Sequence, residues 1–155
     1  MHTIFQQLVY AREKGRDTVL ATIIWDDGSA PRGRGSQMLV DGDGLLAGTI
    51  GGGAVEGRSI EIAREMLRDG KNGHTHFFRL QKDGEVGMVC GGDVTVHLQF
   101  VAAGDEAWQA LAKETLQRIA MRRSGVLVLA LRILRAEDLE SVPHGAKLAK
   151  ILHLK

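Results

Sequence analysis

A chain of 155 residues, 44% of them hydrophobic, is long enough to enclose one substantial core and fits a single compact domain. Twenty basic against nineteen acidic residues leave a formal charge of +1, which excludes a global field drawing the chain to nucleic acid or to a membrane surface. The lone cysteine, Cys90, cannot close an internal disulfide, the first residues form neither a basic nor an apolar leader region, and the longest apolar run, near residues 125–130, is far too short to span a bilayer. A cytoplasmic protein is expected.

Thr3 followed by Gln6 fits a capping box, Ile4, Phe5, Leu8 and Val9 make an apolar stripe, and Gly15 suits a stop, so residues 4–14 are expected to be helical. Residues 18–25 (TVLATIIW) are β-rich and apolar on both faces, the pattern of a central buried strand. Residues 37–40 and 45–50, separated by Asp41-Gly-Asp-Gly44, form a hairpin with a glycine turn. A helix over 55–69 places Val55, Ile62, Ala63, Met66 and Leu67 on one face and stops at Gly70. Residues 76–80 make a short strand. Over 93–101 Val94, Val96, Leu98 and Phe100 alternate with Asp93, Thr95, His97 and Gln99, a strand expected to have one buried and one wet face. Trp108, Leu111, Ala112, Leu116, Ile119 and Ala120 mark a long helix, followed by a strand over 125–134 and a weaker helix over 136–154.

Three glycine-rich loops sit at the ends of these strands: Ser29-Ala-Pro-Arg-Gly-Arg-Gly35, Gly51-Gly-Gly53 and Cys90-Gly-Gly92. Glycine removes the Cβ that keeps a ligand off the backbone, so three such loops suggest one pocket lined by main-chain N–H groups. Arg32 and Arg34 flank Gly33 and Gly35 and suit a phosphate, because charge-assisted bonds contribute roughly 1.5–3 kcal/mol where a neutral pair gives about one. An exposed basic turn accounts for them equally well. Gly51, Gly52 and Gly53 lie between a strand and a helix N-terminus, where unpaired amides favour an anion. Glu56 is either a first-turn carboxylate favoured by the helix dipole or an acceptor for a heterocycle with adjacent N–H donors, as guanine or pterin has. Cys90 is either a small buried hydrophobe or an accessible thiol activated by nearby amides.

Several chemistries find no support. A dinucleotide fingerprint needs glycine where Glu56 stands, no Walker-type lysine triplet occurs, and HExxH, CxxC and G-x-S-x-G are absent. His74 and His76 share one face of a strand but lack a third ligand at matching spacing, so no direct metal site is expected. No complete set of acid, base and nucleophile is present, which favours a protein that acts by holding its ligand and leaves enzyme status open.

Residues 19–22 (VLAT), 28–40 (GSAPRGRGSQMLV), 48–56 (GTIGGGAVE) and 87–94 (GMVCGGDV) together resemble the N-terminal domain of the xanthine dehydrogenase accessory factor family, the XdhC/CoxI type. The match covers roughly residues 1–101. The resemblance implies a molybdenum cofactor (molybdopterin) chaperone that binds the pterin cofactor in its mononucleotide-free or dinucleotide form. It also implies sulfuration with a cysteine desulfurase and delivery to a xanthine dehydrogenase-type molybdenum hydroxylase. On that reading Ser29, Arg32, Arg34, Gly51, Gly52 and Gly53 lie at the phosphate, Glu56 reads the pterin, and Cys90, with Gly91 and Gly92, approaches the sulfur or molybdenum. Ala54 stands where many members carry cysteine or histidine, so a mechanism needing two protein thiols is not expected.

The expected architecture is α/β (or α+β), a mixed β-sheet with flanking helices and the three loops at one rim. Residues 1–101 are expected to form the XdhC/CoxI-like domain and residues 102–155 a helix-strand-helix extension packed on it and offering a homodimer contact, with no Rossmann domain. Two other readings use the same loops: a nucleotide-binding enzyme domain, and a noncatalytic oligomerisation or interaction domain.

Overall fold

The computed structural model describes residues 2–28, 32–70, 74–79, 92–123, 125–127 and 152–154. Chain order runs α1 (His2–Glu13), β1 (Thr18–Gly28), β2 (Gln37–Val40), β3 (Leu45–Gly48), α2 (Gly53–Asp69), β4 (His74–Arg79), β5 (Gly92–Val101), α3 (Glu106–Ala120), β6 (Gly125–Leu127) and β7 (Leu152–Leu154). Five strands form one sheet in the order β3-β2-β1-β5-β4, and β6 pairs with β7 in a second. The expected combination of a sheet with flanking helices is present, and every described ladder is antiparallel. The fold is therefore α+β, its mixed character lying in helices packed on a sheet.

Alternation along β1 explains why it is central. Val19, Ala21 and Ile23 enter a core with Met38, Val40, Val94, Val96 and Leu98, which α2 closes with Val55, Ile62, Ala63 and Met66. Leu20 enters a second core on the other face with Leu39 and Val101, closed by Ile4, Phe5 and Leu8 of α1 and Ala112 of α3. Each fully buried side chain of this size contributes about 1.5–3 kcal/mol, so a strand buried on both faces anchors the sheet.

Helix ends follow their local chemistry. Gly15 and Gly70 adopt left-handed φ values of 68° and 62°, and the Gly70 amide donates to the Met66 carbonyl. Asp105 caps α3 by accepting from the Ala107 and Trp108 amides at 3.0 and 3.1 Å. At the hairpin tip Asp41, 1% exposed, accepts from the Asp43 and Gly44 amides and takes Arg16 Nη1 on its other oxygen at 2.7 Å.

Two expectations need correction. The polar side of β5 is only partly wet: Asp93, Thr95 and Gln99 are half-buried, but His97 is buried, and its register row continues through Thr22 to Gln37, both buried, with Gln37 Nε2 donating to Thr22 Oγ1 at 3.2 Å. That is the side on which α1 and α3 pack, and a polar face covered by helices is buried whatever its alternation. The chain end is also not helical at 152–154, where Leu-His-Leu runs opposite Gly125–Leu127 as a strand; alternation over three residues won over the weak helical stripe. The remainder of that expected strand and helix, 128–151, lies outside the described residues.

Candidate functional site

Strand direction gathers the glycine loops. Because neighbours in the sheet are antiparallel, the ends of β1, β3 and β4 and the beginnings of β2 and β5 lie at one end of the sheet, and α2 starts there, a few residues beyond β3. Gly28 stands opposite Gly92, so the loop after β1 and the segment before β5 leave from adjacent positions. Ser29, Cys90 and Gly91 lie outside the described residues, and Gly92 is described as backbone at the first position of β5.

A β-bulge aims this end of β1. The register shifts between Ile23 and Trp25, which places Trp25 opposite Thr95 and Asp27 opposite Asp93. On the other side of β1 the chain from 33 to 36 folds back: the Gly35 amide donates to the Ile23 carbonyl at 2.8 Å and the Ile23 amide to the Ser36 carbonyl at 2.9 Å. Gly35 takes φ 87°, a conformation that favours glycine.

The two arginines separate in role. Arg34 is held by Asp26, which accepts its backbone amide and its Nε, while Arg34 Nη2 donates to the Asp26 carbonyl. Arg32 is exposed and forms no ion pair or hydrogen bond among the described residues, which leaves its donor fork available at the rim.

Glu56 organises the triple-glycine loop. Its Oε2 accepts from Thr49 Oγ1 at 2.5 Å, from the Ile50 amide at 3.1 Å and from the Gly52 amide at 3.2 Å. The Gly51 amide donates to Thr49 Oγ1 at 3.1 Å. Gly51, Gly52 and Gly53 have φ of 125°, 73° and 59°, so the turn needs glycine at all three positions. No side chain caps α2 at Gly52; the helix N-terminus faces the loop with Glu56 folded back in its first turn. Upstream, Gly48 (φ 78°) brings the backbone so close that a Cβ there meets the Gln37 carbonyl oxygen at 2.3 Å.

The structure thus brings Arg32, Arg34, the triple glycine, Glu56 and the first residue of β5 to one end of the sheet. Sequence spacing missed Asp26 and Thr49, which hold Arg34 and Glu56. Only a residue's place at a strand end signalled them. Another cleft, lined by Leu8, Arg12, Thr18, Trp108 and Gln109, lies at the opposite end between α1 and α3. No group of three or more metal-ligating side chains occurs among the described residues.

Residues 11–78, which include β1, the β2–β3 hairpin and α2, match the model of the XdhC and CoxI family. This segment is an XdhC/CoxI-type domain. Two proteins from Escherichia coli (strain K12) are similar to this chain. The uncharacterized protein YqeB is 37% identical over 97 residues, covering 61% of this chain and 18% of YqeB. The molybdenum cofactor insertion chaperone PaoD is 32% identical over 96 residues, covering 62% of this chain and 30% of PaoD. Among solved structures, a xanthine dehydrogenase from Bacillus halodurans aligns with a TM-score of 0.62 at 25% identity, covering 79% of this chain and 36% of that one. The chain spans less than a third of either curated relative. No helix among the described residues is long and apolar enough to cross a membrane.

Proposed function

We propose that this chain is an accessory protein of molybdenum hydroxylases that binds the molybdenum cofactor at the glycine-loop end of its sheet and assists its sulfuration and insertion into a xanthine dehydrogenase-like enzyme. The observation that carries the reading is the gathering of the β1, β3 and β5 loops at one end of an XdhC/CoxI-type domain whose relatives include a molybdenum cofactor insertion chaperone. The chemistry of the ligand agrees with the residues present: a phosphate suits the Arg32 guanidinium, unpaired among the described residues, and a pterin with adjacent N–H groups suits Glu56.

In this reading the site lies within residues 1–101, and α3, packed on α1, belongs to an extension covering the far side of the sheet. Cys90, Gly91 and Ser29 complete the site from the two loops flanking the Gly28–Gly92 pair, with Cys90 as the group nearest the cofactor's sulfur. A cysteine desulfurase supplies that sulfur, and two copies of the chain assemble as a homodimer. The protein acts by holding and handing over its ligand.

Anaerobic incubation of the purified chain with cofactor released from a molybdenum enzyme tests the reading. Gel filtration, iodine oxidation and pterin fluorescence of the protein fraction then measure retention. Retained pterin that is lost with Arg32→Ala is expected; a protein fraction free of pterin fluorescence overturns it.

A further inference from the structure

Glu56 changes what the triple-glycine loop can recognise. A bare glycine loop before a helix offers its amides to an anion. Here the Ile50 and Gly52 amides and the Thr49 hydroxyl already donate to Glu56 Oε2, and the Gly51 amide is turned onto Thr49 Oγ1. The carboxylate stands where a phosphate oxygen would stand. A phosphate brought to these amides meets like charge and finds the donors engaged.

The second carboxylate oxygen has the opposite character. Oε1 has no hydrogen-bond partner among the described residues, and Glu56 is half-buried, not enclosed. With three donors fixing its sister atom, it is a positioned acceptor for adjacent N–H groups, which bind a carboxylate by charge-assisted bonds. At the same end of the sheet Arg32 is donor-only and unpaired among the described residues.

We infer that Glu56 sets the specificity of this end of the sheet: it excludes phosphate from the triple-glycine loop and makes that loop a reader of the N–H edge of an aminopyrimidine-type heterocycle, leaving phosphate to Arg32. The inference rests on the cofactor-binding reading and deepens it by assigning the two chemically distinct parts of the ligand to different residues. Glu56 acts on the ligand by its open oxygen and on the loop by its held one.

The test uses the full chain and two probes, inorganic phosphate and a pterin without phosphate, followed through the backbone amide resonances of Gly51, Gly52 and Gly53. In the wild type, pterin shifts these amides and phosphate does not. Glu56→Gln keeps an acceptor for the loop but can turn an NH₂ group outward, and weakens pterin binding by about tenfold or more, the loss of at least one good charged hydrogen bond. Glu56→Ala frees the amides, and phosphate then shifts them at about tenfold lower concentration than in the wild type. Should Glu56→Ala not fold, the Glu56→Gln comparison decides alone.

Phosphate moving these amides equally in wild type and Glu56→Ala, or pterin binding unchanged in Glu56→Gln, overturns the assignment. Whole-cofactor capture by the wild type and equally by Glu56→Gln also overturns it while leaving the chaperone reading intact. Failed capture by the wild type, with phosphate gained at the loop by Glu56→Ala, supports the assignment of the loop and sinks the chaperone reading.

Discussion

Asp26 and Arg34 close on each other twice: Asp26 Oδ1 accepts the Arg34 backbone amide at 3.0 Å and its Nε at 2.7 Å. An aspartate near the end of β1 thereby fixes the following loop, and the guanidinium is committed to structure. Asp26→Ala is expected to cost about 1 kcal/mol, because the pair is partly exposed and screened. A double-mutant cycle with Arg34→Ala should show most of that loss as coupling. Arg32→Ala should leave the denaturation midpoint unchanged, since the side chain touches no described partner.

Glycines of the site differ in what they tolerate. Gly48→Ala places a Cβ against the Gln37 carbonyl oxygen and Ile4 Cδ1, at 2.3 and 2.8 Å, in a left-handed conformation. A loss of about 3 kcal/mol or more in denaturant titration is expected. Gly52→Ala meets open space and carries only the backbone cost of φ 73° with ψ −168°, a region occupied essentially by glycine alone, about 1–3 kcal/mol. A smaller loss for Gly48→Ala than for Gly52→Ala contradicts the described backbone.

Asp41 joins the hairpin tip to the link between α1 and β1 through Arg16, with the carboxylate 1% and the guanidinium 36% exposed. Asp41→Ala removes two turn acceptors and a buried partner together, and is expected to cost about 3 kcal/mol. Asp41→Asn keeps an oxygen for the Asp43 and Gly44 amides and should recover part of that loss. Chemical denaturation of both variants at low and high salt checks the claim, with little salt dependence expected for so buried an acid.

Asp105→Ala removes the α3 cap, for a loss of about 1 kcal/mol. The Asp105 carbonyl also receives Arg12 Nη1 from α1, and that bond survives the change. Hydrogen exchange should therefore quicken in the first turn of α3 while the packing of Ala112 against α1 persists.

Much of this was legible where one physical rule acts alone. β2 occupies 37–40 as its hairpin pattern dictates, α2 extends the expected 55–69 by two residues, Gly53 and Ala54, and β1 is central because it is apolar on both faces. Glycines at strand ends suggested one rim for the three loops, and the antiparallel strand directions set the described ends of β1, β3 and β5 on that side. Partners such as Asp26 for Arg34 and Thr49 for Glu56 were not legible, because they depend on the bulge at Ile24 and on three consecutive left-handed glycines, and neither leaves a periodic trace. The burial of His97 was hidden for a related reason: alternation says which residues share a face, and only packing says whether that face is covered.

β1 lies between β2, its immediate successor, and β5, which arrives late in the chain. Pairing β1 with β5 requires closing a long loop before any contact rewards it, so this seam is expected to limit the folding rate. Until it zips to the Gly28–Gly92 pair, the two ends from which the proposed site is built belong to separate halves of a searching chain, and a newly made molecule has no such site to offer.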